Sequence, residues 1–90
     1  MVGYELFVKR SAAKEIDAIG AKQDRKRIVS RIQALAAEPR PPGCEKLAGP
    51  AGLFRTRHGS YRVIYTVDDR RRRIEIIKVG HRREVYRNVP

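Results

Sequence analysis

A single cysteine, Cys44, excludes an internal disulfide, so this fold has no covalent staple. The thiol sits among prolines and glycine with no nearby Cys/His set, which fits a reducing compartment and marks no metal centre. No hydrophobic run approaches the ~18 residues of a membrane span, and the opening MVGYELFVKR lacks a signal-peptide core. A cytoplasmic protein with no membrane association is expected. Acidic residues are scarce as well: 10 Asp+Glu stand against 21 Lys+Arg, a formal net charge of +11.

The charge is unevenly placed. Residues 1–45 hold nine bases and six acids, a balance of +3, and residues 46–90 hold twelve bases and four acids, a balance of +8. Fifteen of the bases are arginine and six are lysine, which suits planar, bidentate recognition of phosphate. A field of this sign attracts a polyanion, nucleic acid being the commonest large one, or an acidic protein partner. Ninety residues make one domain, 1–90, and a chain of this size buries only about 60–65% of the surface it exposes when unfolded.

Periodicity divides the chain into a helical first half and a stranded second half. Tyr4–Arg10 alternates as a strand, and Ser11 is placed to cap a helix over Ala12–Ile19 that Gly20 stops. A second helix over Gln23–Ala37 sets Ile28, Val29, Ile32, Leu35 and Ala36 in one apolar stripe. The Pro- and Gly-rich EPRPPGCEKLAGPAG then reads as a connector. Strands follow at Leu53–Arg57, Tyr61–Asp68 and Arg73–Val79, separated by turns at His58–Ser60 and Asp69–Arg72, with Gly80 breaking the last strand. The order β-α-α-β-β-β predicts an α+β fold, an antiparallel sheet with a helical hairpin packed on one face.

Strand alternation locates the charge. Tyr61, Val63, Tyr65 and Val67 share one apolar face, suited to the helices. Arg55, Arg57 and Arg62 then fall on the helix-free face, provided the two strands pair across His58–Ser60. The tail adds His81, Arg82, Arg83, Tyr86 and Arg87 within reach of that face. Guanidinium forks with a phenol and an imidazole suit single-stranded RNA, phosphates taking the forks and an unstacked base taking a ring. The DDRRRR turn at 68–73 is expected to be solvated.

The strand leading into Ser11-Ala-Ala-Lys-Glu-Ile, the KLAG at 46–49, and above all GLFRTRHGSYRVIYTVDD and IIKVGHRREVYR resemble the RelE/ParE toxin superfamily of type II toxin–antitoxin systems, over nearly the whole chain. The resemblance implies a toxin, with the RelE-like branch favoured: a ribosome-dependent endoribonuclease that cuts messenger RNA in the ribosomal A site. It also implies a cognate antitoxin, small, acidic and partly disordered. The alternatives are a ParE-like DNA gyrase inhibitor, or a non-catalytic member that binds nucleic acid or its antitoxin.

Carried over by position, the family's nuclease residues fall on Arg55, Arg57, Arg62, Arg82 and Tyr86, with His81 at a position often basic or histidine. Arg55 and Arg57 replace the lysines of the best-known RelE pattern, and a guanidinium cannot serve as a neutral base. Two histidines and scattered acids show no ligand spacing, so no metal or cofactor is expected. The chemistry implied is attack of a ribose 2′-hydroxyl on its own phosphorus. Arg62, Arg82, Tyr86 and His81 are the candidate catalytic residues, and Arg55, Arg57, Arg83 and Arg87 the candidate substrate-binding ones. Among them His81 is the proton carrier, imidazole being able to transfer protons in either direction near neutrality.

Overall fold

The computed structural model describes residues 3–47, 49 and 52–81. Strand β1 is Glu5–Val8, helix α1 Arg10–Asp17 and helix α2 Lys22–Ala34. Strands β2 (Glu45–Lys46), β3 (Leu53–His58), β4 (Tyr61–Asp68) and β5 (Arg73–His81) complete the chain order. They form one sheet in the order β1-β5-β4-β3-β2.

The α+β class and the helical hairpin on one face are as expected. The sheet is mixed rather than wholly antiparallel, because β1 runs parallel to β5 while the other pairs are antiparallel. The two helices between β1 and the meander bring the chain back to the start of the sheet, which makes that parallel pairing possible. The connector also contributes more than a loop. Its Glu45 and Lys46 pair with Arg55 and Phe54 as an edge strand too short to leave a periodic signature.

Ser11 does not cap α1. The Lys9 amide bonds the Ile76 carbonyl at 3.0 Å as part of the sheet, and the Lys9 carbonyl already accepts from Ala13 at 2.9 Å. The chain therefore passes from strand into helix without a turn, and Ser11 is left inside the first helical turn. The α1 helix ends at Asp17, short of the expected Ile19, and Arg25 of α2 donates to the Ile19 carbonyl at 2.8 Å, closing the helical hairpin. Beyond Ala34, α2 tightens to i→i−3 bonds at Leu35, Ala36 and Ala37, as helix ends commonly do. Its apolar stripe is narrower than expected: Ile28, Ile32 and Leu35 are buried and Val29 is exposed.

These residues meet Ala12 and Ile19 of α1 and Val63, Tyr65, Ile74, Ile76 and Val79 of the sheet in the main core. Each aliphatic side chain fully buried there contributes about 1.5–3 kcal/mol. Ile76 and Val79 have opposite parity, yet both face the helices. A bulge explains this: Ile64 pairs with Lys78 and Tyr65 with Ile76, leaving Ile77 as the extra residue of β5. Ile77 packs on the other face with Leu47, Leu53 and Ile64. Gly80 does not break β5, which continues to His81 in register with β4.

Two contacts tie the connector down. Tyr65, fully buried, stacks on Phe54 and donates its hydroxyl to the Pro39 carbonyl at 2.7 Å; burial, with Cys44 beside it, pushes its phenol up. Arg40 lies over the Phe54 ring and grips Asp69 in the β4–β5 turn through both guanidinium nitrogens, at 2.7 and 3.1 Å. Tyr4 adds a third bond to Asp69 at 2.6 Å, and Arg40 and Tyr4 together hold that carboxyl at about 2.

Candidate nucleic-acid interface

The β3–β4 hairpin decides where the arginines point. Gly59 opens its two-residue turn at φ 62, the left-handed region required at the first position of such a turn and strained for any residue with a side chain. So short a turn fixes register: His58 faces Tyr61, Arg57 faces Arg62, Thr56 faces Val63 and Arg55 faces Ile64. Thr56, Val63 and Tyr65 lie on the helix side. Arg55, Arg57 and Arg62 are consequently brought together on the opposite face, over the small apolar bed of Leu47, Leu53, Ile64 and Ile77.

Glu45, which sequence reasoning missed, lies in the same cluster. Its strand partner is Arg55, whose Nη2 is 2.6 Å from Oε2; Arg57 Nη2 is 3.4 Å from Oε1. The hydrogen bond and charge of Arg55, with smaller contributions from Arg57 and Arg62, hold the Glu45 carboxyl below the usual carboxylate range. Among the described residues, Glu45 is the carboxylate within ion-pair distance of this cluster. Arg57 and Arg62 stand directly opposite each other, a like-charge cross-strand pair that disfavours the sheet unless an anion joins it.

Arg55 is nearly covered, its side chain 14% exposed, whereas Arg57 is 55% exposed. Arg62 makes one long bond, from Nη1 to the Tyr61 carbonyl at 3.3 Å, and among the described residues it has no carboxylate within ion-pair distance. Its neighbour across β5 is Gly80, which places no side chain in the row Arg57–Arg62–Gly80.

His81 is placed differently from the arginines. It pairs with Tyr61, and the two rings meet edge to face, centroids 5.8 Å apart, on the helix-bearing side. Beside it Glu15 of α1 covers the edge of β5 left uncovered where β1 ends, accepting from the Val79 amide at 3.0 Å and from Lys78 Nζ at 2.7 Å. His58 also lies on the helix side, its Nε2 3.1 Å from Thr56 Oγ1. Arg82, Arg83, Tyr86 and Arg87 lie outside the described residues.

Chemically, the cluster offers guanidinium donors from two neighbouring strands and one ionised carboxylate. That is a surface for a phosphodiester with a proton acceptor at its rim.

Known proteins share the fold. The family described as "ParE toxin of type II toxin-antitoxin system, parDE" matches residues 6–86. Toxin RelG of Mycobacterium tuberculosis is 38% identical over 53 residues, and Toxin RelE of the same organism 46% identical over 39. Those alignments take in 59% and 43% of this chain, and span 61% and 40% of the two curated toxins. Among solved structures, the archaeal RelE–RelB complex from Pyrococcus horikoshii OT3 has a chain that superposes with a TM-score of 0.79 at 28% identity, covering 92% of this chain and 99% of that one. The intact E. coli RelBE toxin–antitoxin complex has one with a TM-score of 0.73 at 26% identity, covering 87% and 95%. The family match over nearly all of the sequence, joined to this fold, shows that the chain belongs to the ParE toxin family of type II toxin–antitoxin systems, within the RelE/ParE superfamily and on its RelE-like side.

Proposed function

We propose that this toxin is a ribosome-dependent endoribonuclease that cleaves messenger RNA by attack of a ribose 2′-hydroxyl on the adjacent phosphorus. The observation that carries the reading is the Arg57–Arg62 pair, two guanidinium groups facing each other with Arg55 alongside, like charges that a negative charge between them would stabilise. The scissile phosphate supplies that charge. As the phosphorane forms, its extra negative charge grows between Arg62 and Arg57, where fixed donors stabilise it with little reorganisation.

Of the two proton carriers, Glu45 is the better placed to take the 2′ proton. It is ionised, lies within the arginine cluster, and is half exposed at the sheet edge, whereas the His81 ring sits on the other side against Tyr61. Arg82 is assigned to the departing 5′-oxygen, whose growing charge it would stabilise, and His81, on the opposite face of the sheet, is left without a proton-transfer role. Tyr86 stacks on a base or orients the 2′-hydroxyl, and Arg83 and Arg87 hold flanking phosphates. A ribosome that bends the message into the A site would supply the positioning so open a surface lacks.

The partner that silences the toxin is a cognate antitoxin; the structural relatives include complexes of RelE with RelB. An acidic, partly disordered segment would complement the +11 charge. Translation places the activity in the cytoplasm, and among the described residues no helix is long and apolar enough to cross a membrane.

Mapping of message ends in a translating extract tests the reading. In-frame cuts within occupied codons are expected, and Arg62→Ala is expected to slow them by about 10²–10³. Near-normal cutting by that variant would remove the mechanism. The second reading, gyrase inhibition, draws on the family name ParE; intact messages together with cleaved DNA at gyrase would select it.

A further inference from the structure

Beyond the arginine cluster, the other side of β3 carries an elongated depression. Two clefts of about 660 and 470 Å³ share Arg31 and His58 as lining residues, so they lie end to end. The first runs between Lys26 and Arg27 of α2 and the Gly59–Ser60 turn. The second passes Leu35 and reaches the connector at Pro41 and Arg57 of β3.

Arg57 joins the two surfaces. It lines the second cleft and also stands opposite Arg62 in the cluster. The short β2 pairs only with Phe54 and Arg55, so its ladder stops before Arg57, which the connector residues Pro41, Pro42 and Gly43 border across the cleft. The lining is predominantly basic, with Lys26, Arg27, Arg31 and Arg57 against Asp24 and Glu38. Burial, and then the charge of Arg31, depress the protonation of His58, so Arg31's field acts on the cleft interior. Arg27 and Arg31 are themselves exposed to solvent and able to meet a ligand.

We infer that this groove is a second RNA-binding segment, which takes the sugar–phosphate backbone of the message flanking the cleaved phosphate. The inference rests on the nuclease reading for the position of that phosphate. A single strand held at Arg55, Arg57 and Arg62 turns over the β3 edge at Arg57 and continues along Arg31, Arg27 and Lys26. An acidic protein segment would meet the same charges. The continuity through Arg57 with the phosphate-binding cluster favours RNA.

The test measures binding of the full-length protein to 2′-O-methyl RNA, which lacks the attacking hydroxyl, at two lengths bracketing common single-strand site sizes, roughly 4 and roughly 12 nucleotides. Affinity is followed against salt, since each single-strand phosphate contact adds about 0.7 to the slope of log K against log salt. The long RNA is expected to show the steeper slope. The double variant Arg27→Ala/Arg31→Ala should remove about 1.4 from that slope and leave the short RNA unchanged, while Arg27→Lys/Arg31→Lys should keep it. Equal losses at both lengths, or none at either, overturn the inference. So does a double variant that binds free RNA normally but loses occupancy on ribosomes, which would assign the groove to structural RNA. A glutamate-rich peptide that binds wild type and not the double variant, with RNA binding unaffected, assigns it to an acidic protein and equally overturns it. Arg62→Ala separates the two readings: if it alters neither length, the arginine cluster fails as the phosphate site, whereas the length dependence reports on the groove alone.

Discussion

On the helix-bearing face of the sheet, Val63, Tyr65, Ile74, Ile76 and Val79 are all at most 1% exposed. On the opposite face the same strands carry Arg55, Arg57 and Arg62 over a bed in which Leu53 and Ile64 are the fully buried members. Neighbouring residues of β4 thus belong to different environments: Val63 completes the core and Arg62, one step away, faces out over the bed. The first face is satisfied by its own contacts. The second sets Arg57 and Arg62 directly opposite each other, a like-charge pair that a bound anion would stabilise. Substitutions should therefore divide by parity along a strand, with stability lost on one side and activity on the other.

The largest expected effect is on the packed side. Ile76→Ala should destabilise the protein by about 2–5 kcal/mol, the usual range for opening a cavity in a close-packed core. Arg62→Ala, expected to abolish most cutting, should leave stability within about 0.5 kcal/mol of wild type, as for other surface substitutions. Urea unfolding of both variants checks the contrast. A stability loss from Arg62→Ala as large as that from Ile76→Ala would break it.

How far this division is visible in the sequence depends on the length of the repeat that encodes it. Tyr61–Asp68 alternates over eight residues, and the structure reproduces its bounds. With His58-Gly-Ser60 it was enough to put three arginines on one face. The bulge at Ile77 was hidden, because an extra residue leaves two locally plausible alternations that only the core can decide between. Glu45 was hidden because a two-residue strand among prolines and glycines has no period. The sequence pattern sets His81 within reach of the arginine face. Once Gly80 stayed in the strand, pairing with Tyr61 put its ring on the other one. The parallel placement of β1 depends on where two helices return the chain, which no local pattern records.

Glu45 is an acid set within the arginine face. It braces Arg55 and Arg57, and under the nuclease reading it would compete with a bound phosphate for them. Glu45→Gln should therefore bind RNA more tightly while cutting about 10²–10⁴ more slowly, the range typical of a lost general base. In wild type the rate should fall with acid only as pH drops through the lowered Glu45 value, below the usual carboxylate range, because the base must be ionised. A variant that tightens binding and cuts at full speed would reduce Glu45 to a brace, and the proton would go to another group.

The smallest effect expected lies at the far end of the sheet, where Asp69 joins Tyr4, Arg40 and the β4–β5 turn. Its folded-state carboxyl, held at about 2, lies below its value in the unfolded chain, near 3.9. Protons therefore bind the unfolded state more readily, and the contribution is present above about pH 4 and lost as pH falls through about 2. Both partners are exposed, so solvent screening keeps the effect small. Asp69→Asn should lower the urea midpoint slightly at neutral pH, and the gap between variant and wild type should close on acidification over that window. A gap that stays constant with pH would mean that the turn is held by its shape and not by the Arg40–Asp69 charge pair. Cutting should be unchanged at neutral pH, since Asp69 touches neither the arginine cluster nor the clefts beside α2.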